Sequence, residues 1–322
     1  MNLLVGAGGW AYFGSLGSGS LESYATAFKF VEANSTYYDY PDLKMVYSWR
    51  KRVPQGFEFS VRCHKDIARG LQSGGDLIAS TLEKMEPICN TLGANALAVL
   101  VPSSVTVEEA TLRARLEETV STFHSNKTTV AVEFRNGKPS PWTVRVLENN
   151  DAVHIVDLSR EEPAFESGVL YSRLFGKGKE NVYEFDDEEL KAITEKASAP
   201  RYEKSILAFH GVRMYRDAAR ATAYLNAGEF PKITDYTGLA SLGEVMKEDS
   251  VFPSSKSQLV EHQGWKLFDI TSEKRGRAGD YLSLLPDGNY KSLGEVMTSL
   301  QSQAPMEGSS AMTIHAKTQH NS

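Results

Sequence analysis

Eight short apolar segments, most of them followed by an amphipathic helical stretch, recur along the first 228 residues. This alternation leaves few folds open. The segments span 3–5, 30–34, 57–63, 96–101, 129–135, 152–158, 169–175 and 205–209, and helical patterns fill 20–28, 42–50, 76–91, 107–123, 142–148, 186–197 and 217–227. Only 159–168, after the sixth segment, lacks a helical pattern. A strand followed by a helix, repeated eight times, is what a (β/α)8 TIM-type barrel requires, at a typical size of about 250 residues. The expected fold class is therefore α/β, a (β/α)8 barrel, with a doubly wound open sheet as the alternative. The barrel is preferred because polar residues collect at the C-terminal end of strand after strand, where barrel active sites are assembled.

The clearest of these strand ends is FKFVEANSTYYDYP at 28–41. Side chains on a strand alternate between faces, so Glu32 and Asn34 share one face and Val31 and Ala33 the other. A carboxylate buried without partners is costly. The segment is thus either an exposed edge strand or a polar site at the end of a buried one, and recurrence of the pattern favours the second. In FEFSVRCH at 57–64, Ser60, Arg62 and His64 line up on one side. Glu133 and Arg135 share a face of the fifth segment, Asp157 ends the sixth, Arg173 sits on the seventh and His210 follows the eighth. The first segment opens into GAGGWAY at 6–12, which lacks the third glycine and the helix start of a dinucleotide fingerprint.

Net charge is −6 over 322 residues, which argues against a protein that coats nucleic acid or anionic membrane but leaves room for a local basic patch. The two cysteines, Cys63 and Cys89, form no CxxC and no metal-ligand spacing; reduced thiols in a cytoplasmic protein are expected. No apolar run approaches the roughly 20 residues of a membrane helix, so no membrane partner is expected. The N-terminus, MNLLVGAGGW, has no basic region of the signal-peptide kind.

Beyond residue 228 the texture changes. Residues 229–238 read as a linker, 239–300 as a small α+β module, and 301–322 as a disordered tail. The hexapeptide SLGEVM occurs at 241–246 and again at 292–297. Within the module a helix is expected at 254–263 and strands at 265–270 and 281–285, joined by a basic hairpin that carries Lys274, Arg275 and Arg277.

Several motifs over residues 1–228 resemble the YecE-like family, also known as domain of unknown function 72. They are GAGGWAY at 6–12, FKFVEANSTYY at 28–38, FEFSVR at 57–62, VEFRNGKPSPW at 132–142 and YSRLFGKGKENVYEF at 171–185. The resemblance implies a TIM-type barrel similar to those of apurinic endonucleases and sugar isomerases, and it implies no settled activity. The chain departs from the family pattern at His64, directly after Cys63, and at FHG, 209–211.

A barrel would gather Glu32, Asn34, Arg62, His64, Glu133, Arg135, Asp157, Arg173 and His210 at its mouth, with Trp10, Tyr12, Tyr37 and Tyr183 on the rim and Lys177 and Lys179 in the loop after the seventh strand. Three chemical readings follow. In an anion site, Arg62, Arg135 and Arg173 hold a phosphate or carboxylate while Glu32 and Glu133, with His64 and Asp157, supply acid–base chemistry for hydrolysis or isomerisation of a phosphate-bearing, nucleotide-like substrate, hydrolysis being the expected reaction. In a metal site, Glu32, His64, Glu133, Asp157 and His210 offer O/N ligands for Zn or Mn. In a structural reading, Glu133 and Arg135 merely satisfy each other. A competing class is a nucleic-acid or nucleotide-binding protein without catalysis, whose basic hairpin touches phosphates.

Overall fold

The computed structural model describes residues 2–14, 20–123, 127–135 and 137–303. The chain divides into two compact units, the first ending at Phe230 and the second beginning at Pro231.

The first unit is a closed barrel of eight parallel strands, β1 Asn2–Ala7, β2 Phe30–Ala33, β3 Glu58–Arg62, β4 Ala96–Val101, β5 Thr129–Phe134, β6 Val153–Val156, β7 Val169–Leu174 and β8 Lys204–Phe209. Each strand pairs with the next, and β8 closes on β1 with Asn2 opposite Lys204 and Ala7 opposite Phe209. Helices α1 Leu21–Ala27, α2 Leu43–Lys51, α3 Asp66–Ser73, α4 Leu77–Leu92, α5 Glu109–Thr122, α6 Pro141–Asn149, α7 Asp187–Ala197 and α8 Met214–Ala227 surround it. Closure leaves no sheet edge, so the edge-strand reading of 30–34 is overturned: all four residues of β2 are buried.

Strand parity sorts the side chains into two shells. Val31, Phe59, Val61, Leu97, Val99, Val132, Leu170 and Leu207 point outward into the main apolar core, against the helices. Leu4, Phe30, Ala96, Ala98, Ala131, Ile155, Tyr171, Ile206 and Ala208 fill the interior. Small side chains at 96, 98, 131 and 208 leave room inside for the bulk of Tyr171 and Arg173. The same parity, continued toward the C-terminal ends, points Glu32, Arg62, Glu133 and Arg173 inward.

Local signals set several helix starts. Ser20 caps α1, Ser140 caps α6 with Pro141 in its first turn, and Asp186 and Glu189 form a reciprocal capping box on α7. As the sequence suggests, no helix joins β6 to β7. The one surrounding helix the sequence pattern did not reveal is α3, which leads into α4 through Gly74 and Gly75, both at positive φ.

The second unit contains α9 Gly238–Lys247, β9 Ser254–Ser255, α10 Lys256–Gln263, β10 Leu267–Asp269, β11 Arg275–Arg277, α11 Ala278–Leu282, β12 Asn289–Tyr290 and α12 Leu293–Gln303. Two two-stranded antiparallel sheets, β10 with β11 and β9 with β12, pack with the helices around Leu242, Met246, Leu259, Phe268, Leu282 and Val296. The two SLGEVM copies lie on α9 and α12, helices that pack against each other.

Two expectations for this unit are corrected. The strand partner of 265–270 is β11, not 281–285, because the Thr271 hydroxyl accepts the Glu273 and Lys274 N–H groups and turns the chain back early. The basic residues are also not a free hairpin tip. Arg275 Nε donates to the buried Asp269 carboxylate at 3.2 Å, and Arg277 Nη1 donates to the Trp265 carbonyl at 3.1 Å. The expected tail beyond 303 lies outside the described residues. No described helix is long and apolar enough to cross a membrane.

Candidate functional site

At the C-terminal end of the barrel, five of the expected residues are joined in one ionic network. Arg173, on β7, is fully buried; its Nε and Nη2 donate to Glu32 Oε2 and Oε1 at 3.1 Å each, and its Nη1 donates to Glu133. Arg135 Nε reaches the other oxygen of Glu133 at 2.8 Å. His210 Nε2 lies 3.4 Å from Glu32 Oε1 and 3.3 Å from Arg173 Nε. A buried guanidinium between two carboxylates is tolerable only because nearly every polar atom finds a partner.

Electrostatics fix the charge states. Burial pushes the Glu32 carboxyl up, but Arg173, His210 and the Tyr171 hydroxyl more than offset it and hold it well below the usual carboxylate range. Burial likewise raises Glu133, and Arg173 with Arg135 bring it down. Both are ionised near neutral pH. Arg173 is raised despite its burial, by Glu32 and Glu133. Burial and the positive charge of Arg173 lower His210, so its imidazole is neutral near pH 7.

Beside this network stands Arg62, at the end of β3. It is 8% exposed. Nη1 donates to Asn34 Oδ1 at 2.8 Å, and the guanidinium lies over the Tyr37 ring, 3.7 Å from its centroid. No carboxylate pairs with it among the described residues, and its buried Nε has no hydrogen-bond partner there. Burial, followed by the nearby charge of Arg173, lowers its pKa, and the Glu32 carboxylate offsets them only in part. Three guanidiniums therefore face two carboxylates, and among the described residues Arg62 is the one of the three without an ion pair.

Two features of the site escaped the sequence reading. Tyr171, buried, donates its hydroxyl to Glu32 Oε2 at 2.6 Å; it lies two residues before Arg173 and so on the same strand face, which is the signal that identifies it. Phe175 stacks on His210 with ring centroids 5.0 Å apart, while Arg135 and Arg173 lie 4.9 and 5.3 Å from its centroid. The glycine at position 8 is required by close approach: a Cβ there would overlap the His210 ring.

The other expected residues are placed elsewhere. Asp157 accepts the N–H groups of Phe175 at 3.0 Å and Gly176 at 3.3 Å, together with the Ser159 hydroxyl, so it braces the loop after β7. His64 stacks on Tyr40, centroids 3.9 Å apart, with Nε2 on the Tyr38 carbonyl and Nδ1 on Asp66. It pins the loop after β2 to the start of α3. Trp10 packs edge-on against Trp49 of α2, a packing role. Tyr12 is exposed, and its backbone N–H donates to the Tyr215 hydroxyl. Lys177, exposed, pairs with Glu189 at 2.8 Å, and Tyr183 donates to the same carboxylate.

This placement corrects the metal reading. The five candidate ligands do not converge: Asp157 and His64 serve loops, and the Arg173 guanidinium stands between Glu32 and Glu133 where a cation would have to sit. Among the described residues no three His, Cys, Asp or Glu side chains form a group able to hold a metal ion.

A family model described as "Protein of unknown function DUF72" matches residues 4–234. An 80-residue stretch is 34% identical to the UPF0759 protein YecE of Escherichia coli (strain K12), covering 24% of this chain and 29% of that protein. The chain thus spans less than a third of the length of the curated relatives it matches. The crystal structure of a DUF72 family protein from Enterococcus faecalis V583 covers 70% of this chain and 97% of its own, with a TM-score of 0.56 at 18% identity. That of a DUF72 family protein from Thermotoga maritima MSB8 covers 70% and 100%, with the same TM-score and identity. At these identities the likeness is one of fold.

Proposed function

The chain belongs to the DUF72 family of proteins of unknown function, and we propose that its barrel mouth binds a phosphate-bearing ligand on Arg62 and hydrolyses it. The observation that carries this reading is the Arg62 guanidinium, buried beside Asn34 and Tyr37 without a counter-ion among the described residues. Leaving a charge buried and unpaired costs several kcal/mol. A ligand oxyanion that pairs with it removes that penalty, and guanidinium geometry suits phosphate.

Catalysis divides the two carboxylates. Glu32 is fully buried and saturated by Tyr171, Arg173 and His210, so it serves as the counter-ion that fixes Arg173. Glu133 is ionised, and 12% of its side chain is exposed. A bound phosphate draws Arg135 from Glu133 Oε1, which frees that oxygen to accept the proton of an attacking water and to pass it to the leaving oxygen, while Arg62 and Arg135 hold the phosphoryl oxygens. The test is hydrolysis of a chromogenic phosphate diester and monoester by wild type and Glu133→Gln, with phosphate binding measured in parallel. Turnover that falls at least 100-fold with binding retained supports the hydrolase. Binding without turnover in the wild type leaves a ligand-binding protein and removes the catalytic half.

A further inference from the structure

The charges gathered at the mouth do not cancel among the described residues. Arg135 and Arg173 are bound to Glu32 and Glu133, and His210 is neutral near pH 7. Arg62 belongs to the same group, close enough for the charges of Arg173, Glu32 and Arg135 to act on it. Three guanidiniums against two carboxylates leave one positive charge in excess. The charges around the group balance one another. Asp157 pairs with Arg160 at 3.7 Å, Lys177 with Glu189 at 2.8 Å and Asp66 with Arg69 at 3.1 Å. Lys179 and Glu180 are exposed neighbours on the loop after β7, and Asp39, also exposed, follows Tyr38 on the loop after β2. None of these adds a second positive charge to the mouth.

We infer that the substrate is a phosphodiester, and that Glu133 is the residue that rejects a phosphate monoester. A diester carries one negative charge and two non-bridging oxygens, one for Arg62 and one for Arg135. A monoester carries close to two charges at neutral pH. Its second charge faces Glu133, whose side chain is only 12% exposed and whose Oε1 loses its partner when Arg135 turns to the ligand. Like charges at close range in a site shielded from water repel strongly. The same count serves turnover. Hydrolysis adds water across one P–O ester bond: the hydroxyl joins phosphorus, and the proton passes to the leaving oxygen. The new P–OH then ionises, and the mouth repels the monoester it has made.

This inference rests on the phosphate reading of the mouth, and the experiment separates the two. Dimethyl phosphate and methyl phosphate are titrated by calorimetry into the wild type at pH 5 and 7.5, and into Glu133→Gln at pH 7.5. Dimethyl phosphate is a monoanion at both pH values, so it reports any titration of the protein itself, His210 included. Methyl phosphate passes from monoanion to dianion with a pKa of about 6. Expected in the wild type is a loss of about ten-fold in methyl phosphate affinity, relative to dimethyl phosphate, between pH 5 and 7.5. Glu133→Gln should recover most of that loss at pH 7.5 and leave dimethyl phosphate within a few-fold. Methyl phosphate that binds at pH 7.5 as tightly as dimethyl phosphate, or more tightly than at pH 5, overturns the diester and leaves the mouth reading standing. A loss that persists in folded Glu133→Gln overturns the role of Glu133. If that variant does not fold, the wild-type comparison alone decides for or against the diester. Binding of neither probe by the wild type overturns both readings.

Discussion

The Arg62 guanidinium lies over the Tyr37 ring, 3.7 Å from its centroid. The ring and the Asn34 amide hold the charge in place without neutralising it. An ordinary ion pair would fix the guanidinium equally well and leave nothing for a ligand.

Removing that support should therefore weaken ligand binding more than folding. Tyr37 is half-buried at the rim, and a cation–π contact of this kind contributes about 0.5–2 kcal/mol. Tyr37→Ala should reduce phosphate affinity several-fold, and Tyr37→Phe, which keeps the ring, should restore most of it. Calorimetric titration of the two variants checks this; equal losses in both would assign the effect to the hydroxyl instead.

Arg173 should be the residue whose loss the fold tolerates least. It is buried between Glu32 and Glu133, and its removal leaves both carboxylates without their main partner. Arg173→Met should cost about 3–5 kcal/mol in urea unfolding at pH 7. Both carboxyls have folded pKa values below their ordinary 4.5, so they contribute stability that is present above that pH and is lost as the pH falls below it. The Arg173→Met deficit should accordingly shrink in acid, where protonation of the orphaned carboxyls relieves it.

His154 makes a separate pH prediction. It faces outward from β6, packs against Phe134, and accepts the Ala164 N–H on Nδ1 at 3.0 Å. Burial lowers its pKa from 6.5 to about 4. Between these values the unfolded chain binds a proton that the folded chain does not, so stability falls as pH drops through this window, by up to about 3 kcal/mol. Urea midpoints at pH 7 and 4.5 should differ less for His154→Gln than for wild type; an unchanged difference would acquit His154.

Much of this architecture is legible in the sequence because barrels obey short-range rules. Short apolar segments alternating with helical patterns mark the eight strands, and strand parity brings Glu32, Arg62, Glu133, Arg173 and His210 to one end of the barrel. What parity does not encode is who pairs with whom. Asp157 has the inward parity of Ile155, yet its carboxylate is taken by the Phe175 and Gly176 amides, which a later loop brings back to it. His64 likewise follows Arg62 with matching parity, but β3 ends at Arg62 and the chain turns into α3. Tyr171 gives no such signal, because a tyrosine inside a barrel reads as core unless its hydroxyl meets a carboxylate. In the second unit, 281–285 reads as a strand from its apolar residues alone; the early turn at Thr271, set by one hydroxyl, decides otherwise.

The most direct measurement is a calorimetric titration of inorganic phosphate and a dialkyl phosphate into wild type and Arg62→Gln. Expected is binding by the wild type and a loss of about ten- to a hundred-fold in Arg62→Gln, the scale of a charge-assisted hydrogen bond. The ligand-free variant should unfold at a temperature equal to or above that of the wild type, since the substitution removes a buried charge that forms no ion pair among the described residues. Equal phosphate affinity in the two proteins, or a variant that fails to fold, would contradict an anion site built on Arg62.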